Sequence, residues 1–125
     1  MTPKEATALA RRAIACPRWR WMPGMVTTHG QRIARVDADG YAVAYYRGGH
    51  LQMPEAGALP DLTDPATMGC LLALARKAWN NPDLHVQRDG RFFVVNPTPK
   101  GSPLYGDIDA PTEAAVLVTA LEAAP

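Results

Sequence analysis

Apolar residues recur every three or four positions in three stretches of this chain and alternate with polar ones in the segments between. The first periodic stretch is residues 2–15, where Ala6, Leu9, Ala10, Ala13 and Ile14 fall on one helical stripe. Thr2-Pro3-Lys4-Glu5 reads as a capping box, with proline in the first turn, where its missing N–H would have had no partner. Pro17 ends this helix at about Ala15. A second helix opens at Asp64-Pro65. Met68, Leu71, Leu72, Ala75, Ala78 and Trp79 give it a wide apolar face, and Asn80-Asn81-Pro82 stops it. A third opens at Asp109-Ala110-Pro111, with Thr112 and Glu113 in its first turn and a stripe of Ala114, Leu117, Val118 and Leu121.

Alternation predicts two hairpins. Arg32–Asp37 and Tyr41–Tyr46 flank Asp39-Gly40, and Leu84–Arg88 and Arg91–Asn96 flank Asp89-Gly90. Met25–Thr28 fits a further short strand, while Gly48–Leu62 and Pro97–Ile108 read as irregular loops. The order α-β-β-α-β-β-α predicts an α/β (α+β) fold: one antiparallel sheet of about four strands with helices packed on it. At 125 residues, the chain is expected to form a single compact domain over 1–125.

Composition narrows the class. Hydrophobic residues at 47% and charged ones at 20% supply enough apolar surface for a core and argue against disorder. No apolar run approaches the ~18 residues of a membrane span. Residues 1–15 carry Lys4, Glu5, Arg11 and Arg12, which is not the pattern of a secretory leader. The expected compartment is the cytosol, with Cys16 and Cys70 as reduced thiols. Net charge is only +1, but it is uneven: residues 1–50 hold eight Lys/Arg against three acids, and residues 51–125 hold five against nine. One basic surface results if the first half folds on one side; otherwise the charges mix.

No stretch carries catalytic chemistry. G-x-S-x-G, the Walker loop and G-x-G-x-x-G are absent. His29, His50 and His85 lack ligand spacing with one another, with the cysteines or with paired acids, so no metal is expected. Asp37/Asp39 flank a turn and Asp107/Asp109 precede a helix, positions that short acids favour for local hydrogen bonding. Cys70 sits between Gly69 and Leu71 on an apolar helix side, a poor place for a nucleophile. No cofactor is expected, and the chain reads as a non-enzyme.

The remaining signal is aromatic and cationic. In Arg18-Trp19-Arg20-Trp21, an extended backbone sends both tryptophans one way and both arginines the other. The indoles then either close the core, where each buries on the order of 200 Å², or offer a stacking platform beside arginines that meet phosphates. In Tyr45-Tyr46-Arg47, alternation turns one tyrosine outward, beside Arg32, Arg35 or Arg47. Arg18, Arg20, Trp21, Arg32, Arg35, Tyr46 and Arg47 are the candidate contacts; arginine suits phosphate and carboxylate partners alike through its bidentate fork.

Residues 61–74, DLTDPATMGCLLAL, with Trp79 following, and Ala110-Pro111-Thr112-Glu113-Ala114 leading to 120–124, ALEAA, carry a family resemblance. Together with the short first helix and the tryptophan segment after it, they resemble small tailed-phage and prophage proteins of the phage α/β/α (ABA) sandwich domain family. The resemblance covers most of the chain in layout, and the middle loops, Gly48–Leu59 and Pro97–Asp107, depart from it. It implies phage origin and action by stoichiometric binding in the host cytosol: inhibition of a host or defence-system protein, CRISPR effectors included, or sequestration of a nucleotide signal. A small nucleic-acid-binding regulator and a structural or virion-assembly component are the alternatives. No membrane partner is expected, and a homodimer suits a sequestering protein, since pockets often form between subunits.

Overall fold

The computed structural model describes residues 1–45, 51–54, 57–99 and 106–125. Along the chain run α1 (Pro3–Ala15), β1 (Arg32–Val36), β2 (Ala42–Tyr45), β3 (Leu51–Gln52), α2 (Pro65–Ala78), β4 (Gln87–Asp89), β5 (Phe92–Val95), β6 (Ile108–Ala110) and α3 (Glu113–Ala123). The fold is mixed α+β. Contacts gather the chain into two compact units, one of Met1–Trp19 with Leu71–Pro125, the other of Arg20–Cys70.

Each unit holds its own antiparallel sheet. The order is β1-β2-β3 in one and β4-β5-β6 in the other, where alternation had suggested one sheet of about four strands. Both hairpins form, and each acquires a third strand, one from chain that reads as irregular loop and one from the end of such a loop and the expected opening of the third helix. Those additions, Leu51–Gln52 and Ile108–Ala110, are too short to carry a period of their own; pairing with β2 and β5 makes them strands. Residues 25–28 give only the isolated bridges Val26↔Arg32 and Thr27↔Pro60. The first strand of the second hairpin starts at Gln87, later than the expected Leu84. The third helix also starts later. Ile108 and Ala110 are buried with Asp109 exposed between them, a strand pattern, and Thr112 is the N-cap whose hydroxyl accepts from the Ala115 N–H at 3.1 Å.

In the first unit α1 begins as its sequence predicts. Thr2 Oγ1 accepts from the Glu5 N–H at 3.1 Å, and Glu5 Oε2 accepts from the Thr2 N–H at 2.9 Å. Leu9, Ala10 and Ala13 are its buried stripe. By contrast α3 buries Ala114, Val116, Leu117, Val118, Ala120 and Leu121, almost all round, as a helix enclosed by its unit does. Arg12 joins the two helices, donating to Glu122 Oε1 at 2.5 Å and to Thr119 Oγ1 at 3.3 Å. The Glu122 hydrogen bond holds the Arg12 guanidinium above its usual pKa.

The C-terminus of α2 closes with a left-handed residue. Asn80 has φ +49°, its N–H donates to Lys77 O at 3.2 Å, and the Asn81 N–H donates to Arg76 O at 2.9 Å. That is a Schellman motif, with asparagine where glycine is commonest. Trp79, just outside the helix, is buried and donates from Nε1 to Ala120 O at 2.7 Å. Asn81 is buried as well; its amide donates to Pro97 O at 3.1 Å, and its Oδ1 accepts from the Asp83 N–H at 3.1 Å.

The second unit is held by polar groups as much as by packing. Asp64 caps α2: Oδ2 accepts from the Thr67 N–H at 2.9 Å and from the Thr67 hydroxyl at 3.0 Å. Thr67 Oγ1 accepts in turn from the Val26 N–H at 2.9 Å. Arg32 donates to Gly24 O at 2.6 Å and pairs with Asp64 Oδ1 at 3.7 Å. Hydrogen bonds and one ion pair thus tie the helix start, the segment before β1 and β1 itself. The apolar share includes Met25, Ile33, Ala42, Val43, Ala44 and Leu62, all buried.

Candidate binding face

Side chains alternate across a strand, and residues directly opposite on neighbouring strands share a face. Arg32 and Arg35 lie three apart in β1, so uninterrupted alternation would put them on opposite faces. A bulge prevents that. Arg32 pairs with Tyr45 and Ile33 with Ala44, then Arg35 with Val43 and Val36 with Ala42, leaving Ala34 as the extra residue. Arg32, Arg35, Val43 and Tyr45 therefore share the outer face, and Ile33, Val36, Ala42 and Ala44 the inner one. Both arginines and Tyr45 are exposed, and Ile33, Ala42 and Ala44 are buried; Val43, opposite Arg35, is buried as well.

Tyr41 and Met53 continue the outer alternation beyond β2 and β3. Their exposures, 56% and 57%, match the 53% of Tyr45, unusual values for large side chains with an apolar body. At the turn end lies a cleft of about 260 Å³ lined by Trp21, Gly40, Tyr41, Met53, Pro54 and Ala58, among others. The turn is made by Asp37-Ala38-Asp39-Gly40, with the Gly40 N–H donating to Asp37 O at 2.9 Å. Gly40 has φ +88°, a conformation that glycine adopts without strain.

The electrostatics of this face are mixed. Arg35 Nε pairs with Asp37 Oδ1 at 3.2 Å, and Arg32 is shared between Gly24 O and Asp64. Hydrogen bonds from Thr67, the backbone N–H foremost, hold the Asp64 carboxyl below its usual pKa, helped by Arg32. Burial, with Asp64 adding to it, pushes the Cys70 thiol up. Cys70 therefore stays protonated at neutral pH, which disfavours it as a nucleophile. Among the described residues no three His, Cys, Asp or Glu side chains converge on one point.

The candidate contacts divide between the units. Arg20, Trp21, Arg32 and Arg35 belong to the second, and Arg18 to the first, where it is exposed and donates to the Pro125 carbonyl. Tyr46 and Arg47 lie outside the described residues. Through residues 18–21 arginines are exposed and tryptophans half-buried in strict alternation, so neither indole is sealed and neither stands free in water. The basic first half is not one structural unit: Lys4, Arg11, Arg12 and Arg18 fall in the first unit, and Arg20, Arg32 and Arg35 in the second. Tyr41, Tyr45 and Met53 are the outer-face residues that spacing alone did not single out; only the register shows which tyrosine faces outward.

No family model, no curated protein and no solved structure aligns with the chain. Among the described residues no helix is long and apolar enough to cross a membrane.

Proposed function

We propose that this chain is a non-enzymatic binding protein that captures a protein target through the outer face of β1-β2-β3. One observation carries the reading: Tyr41, Tyr45 and Met53 stand exposed on one face beside Arg35, above a cleft lined by Trp21. Tyrosine, tryptophan, methionine and arginine are the residue types that protein interfaces concentrate. Pairing of Arg35 with Asp37 and of Arg32 with Asp64 lowers the pull on a polyanion, which favours a protein over a nucleic acid. The resemblance to small phage proteins supplies the setting: a phage-encoded inhibitor of a host or defence-system protein, acting in the host cytosol.

Tagged wild-type protein and a Tyr41→Ser/Tyr45→Ser variant, both passed over a bacterial host lysate, test the reading. The expected result is one host protein held by the wild type at near-equal stoichiometry and lost by the variant. Capture that ignores the double substitution overturns the assignment of the face. Recovery of nucleic acid alone, with affinity falling steeply as salt rises, overturns the protein target in favour of phosphate recognition.

A further inference from the structure

The cleft at the β1-β2 turn is lined by residues of one unit, Arg20–Cys70. Trp21 and Tyr41 contribute aromatic rings to its wall, and Met53 and Pro54 apolar bodies. Gly40 and Gly57 contribute backbone alone; with φ of +88° and +78°, each leaves open space where a Cβ would stand. At about 260 Å³ the cleft is smaller than the roughly 300–1,000 Å³ of pockets that enclose a small molecule. A single side chain of a partner suits that volume better than a nucleotide does.

The charge beside the cleft selects the side chain. Asp37 lies opposite Tyr41 across the turn, its N–H donating to Tyr41 O at 2.8 Å. Its carboxylate is taken by Arg35 Nε at 3.2 Å, so those two charges cancel. Asp39 is left as the net charge of the turn. It is exposed, and among the described residues no cation pairs with it. Its Oδ1 accepts from the Tyr41 N–H at 3.4 Å, which sets the carboxylate next to the cleft wall. Arg20 neighbours Trp21 in sequence but alternates with it, exposed where the indole is half-buried. Aromatic faces attract cations, tryptophan most strongly, and an uncompensated carboxylate adds to that pull. An aliphatic or proline side chain would use the rings and waste the charge, and an acidic one would be repelled by both. Between the two common cations, arginine fits better: its planar guanidinium stacks on rings, offers a carboxylate a rigid fork and sheds water more easily than an ammonium.

We propose that the cleft receives an arginine side chain of the protein target, its guanidinium stacked against Trp21 and Tyr41 and its charge met by Asp39. The inference rests on the reading of β1-β2-β3 as a protein-binding face and names the chemistry that the face recognises.

Titration of the isotope-labelled protein with N-acetylargininamide, followed by NMR, tests it. N-acetylcitrullinamide, neutral and of the same length, is the control. The Trp21 indole signal is assigned by its absence in Trp21→Phe. The arginine probe is expected to shift the Trp21 indole, Tyr41 and Met53 signals saturably in the millimolar range, and the citrulline probe to leave them in place. Asp39→Asn keeps an acceptor for the Tyr41 N–H and is expected to weaken arginine binding about threefold; Trp21→Leu is expected to abolish it. No shift at these residues, equal response to citrulline, or affinity unmoved by Asp39→Asn overturns the proposal, and Asp39→Asn decides alone where Trp21→Leu does not fold. Host-lysate capture separates this inference from the reading beneath it. Capture that needs Tyr41 and Tyr45 while the arginine probe fails to bind overturns the arginine and leaves the face standing. Arginine binding with capture that ignores both tyrosines overturns the face as the target's site, and with it the target as the source of the arginine.

Discussion

The two units solve the same problem by different means. Each builds an antiparallel hairpin and adds a short third strand from later in the chain. In the unit of Met1–Trp19 and Leu71–Pro125, the sheet is backed by α3, buried nearly all round, and by Trp79 hydrogen-bonded to Ala120 O. In the unit of Arg20–Cys70, cohesion runs through Asp64, Thr67, Val26, Arg32 and Gly24, a polar relay with a carboxylate at its centre. An apolar core is insensitive to protonation, whereas a relay hinging on an ionised group is not. The contrast predicts that the two units respond differently to pH.

The sharpest test of that contrast strikes the apolar side. Trp79→Ala removes a buried indole and leaves the Ala120 carbonyl without its donor. A loss of about 3–5 kcal/mol is expected, read as a fall in denaturation midpoint and as early amide exchange in Leu71–Pro125. Asp64→Ala deletes the α2 cap and should cost about 1–2 kcal/mol, with exchange rising first in Arg20–Cys70.

Asp64 also sets a pH dependence whose sign is fixed. Its folded pKa lies below the unfolded value of about 3.9, so its contribution is fully present above that value and is lost as pH falls through the lower folded pKa. Acid titration followed by exchange should loosen Arg20–Cys70 below about pH 4. Asp64→Asn keeps a capping oxygen but cannot ionise, and should flatten that limb. An equal acid response in both units would erase the distinction. The smallest effect belongs to Asn80→Gly. Glycine meets the φ of +49° without strain, and a gain of roughly 0.5 kcal/mol in thermal stability is expected.

Local signals were legible in the sequence. The capping box of α1 and the start of α2 at Asp64-Pro65 depend on groups within three or four residues of one another, and both stand where spacing put them. Both hairpins were legible because alternation and a glycine coincide. What escaped was set by partners distant in the chain. Ile108–Ala110 became a strand because β5 offers an edge, and that moved the helix start to the next residue able to cap, Thr112. The outer face was half legible: Arg32 and Arg35 were candidates, but their common side depends on Ala34, a bulge that no composition announces. Arg18 shares a sequence motif with Trp21, yet the two belong to different units.

The extra residue in β1 works as a phase shifter. Were Ala34 drawn into the ladder as an ordinary residue, the guanidinium of Arg35 would rotate toward the inner side and Val36 would be carried out into solvent; deleting Ala34 would leave both where they are. Loss of the bulge with every residue kept would thus do what several point substitutions could not, trading the outer face for a defect in the core while leaving every chemical group in place. What this face can bind is written in the parity of a strand as well as in its letters.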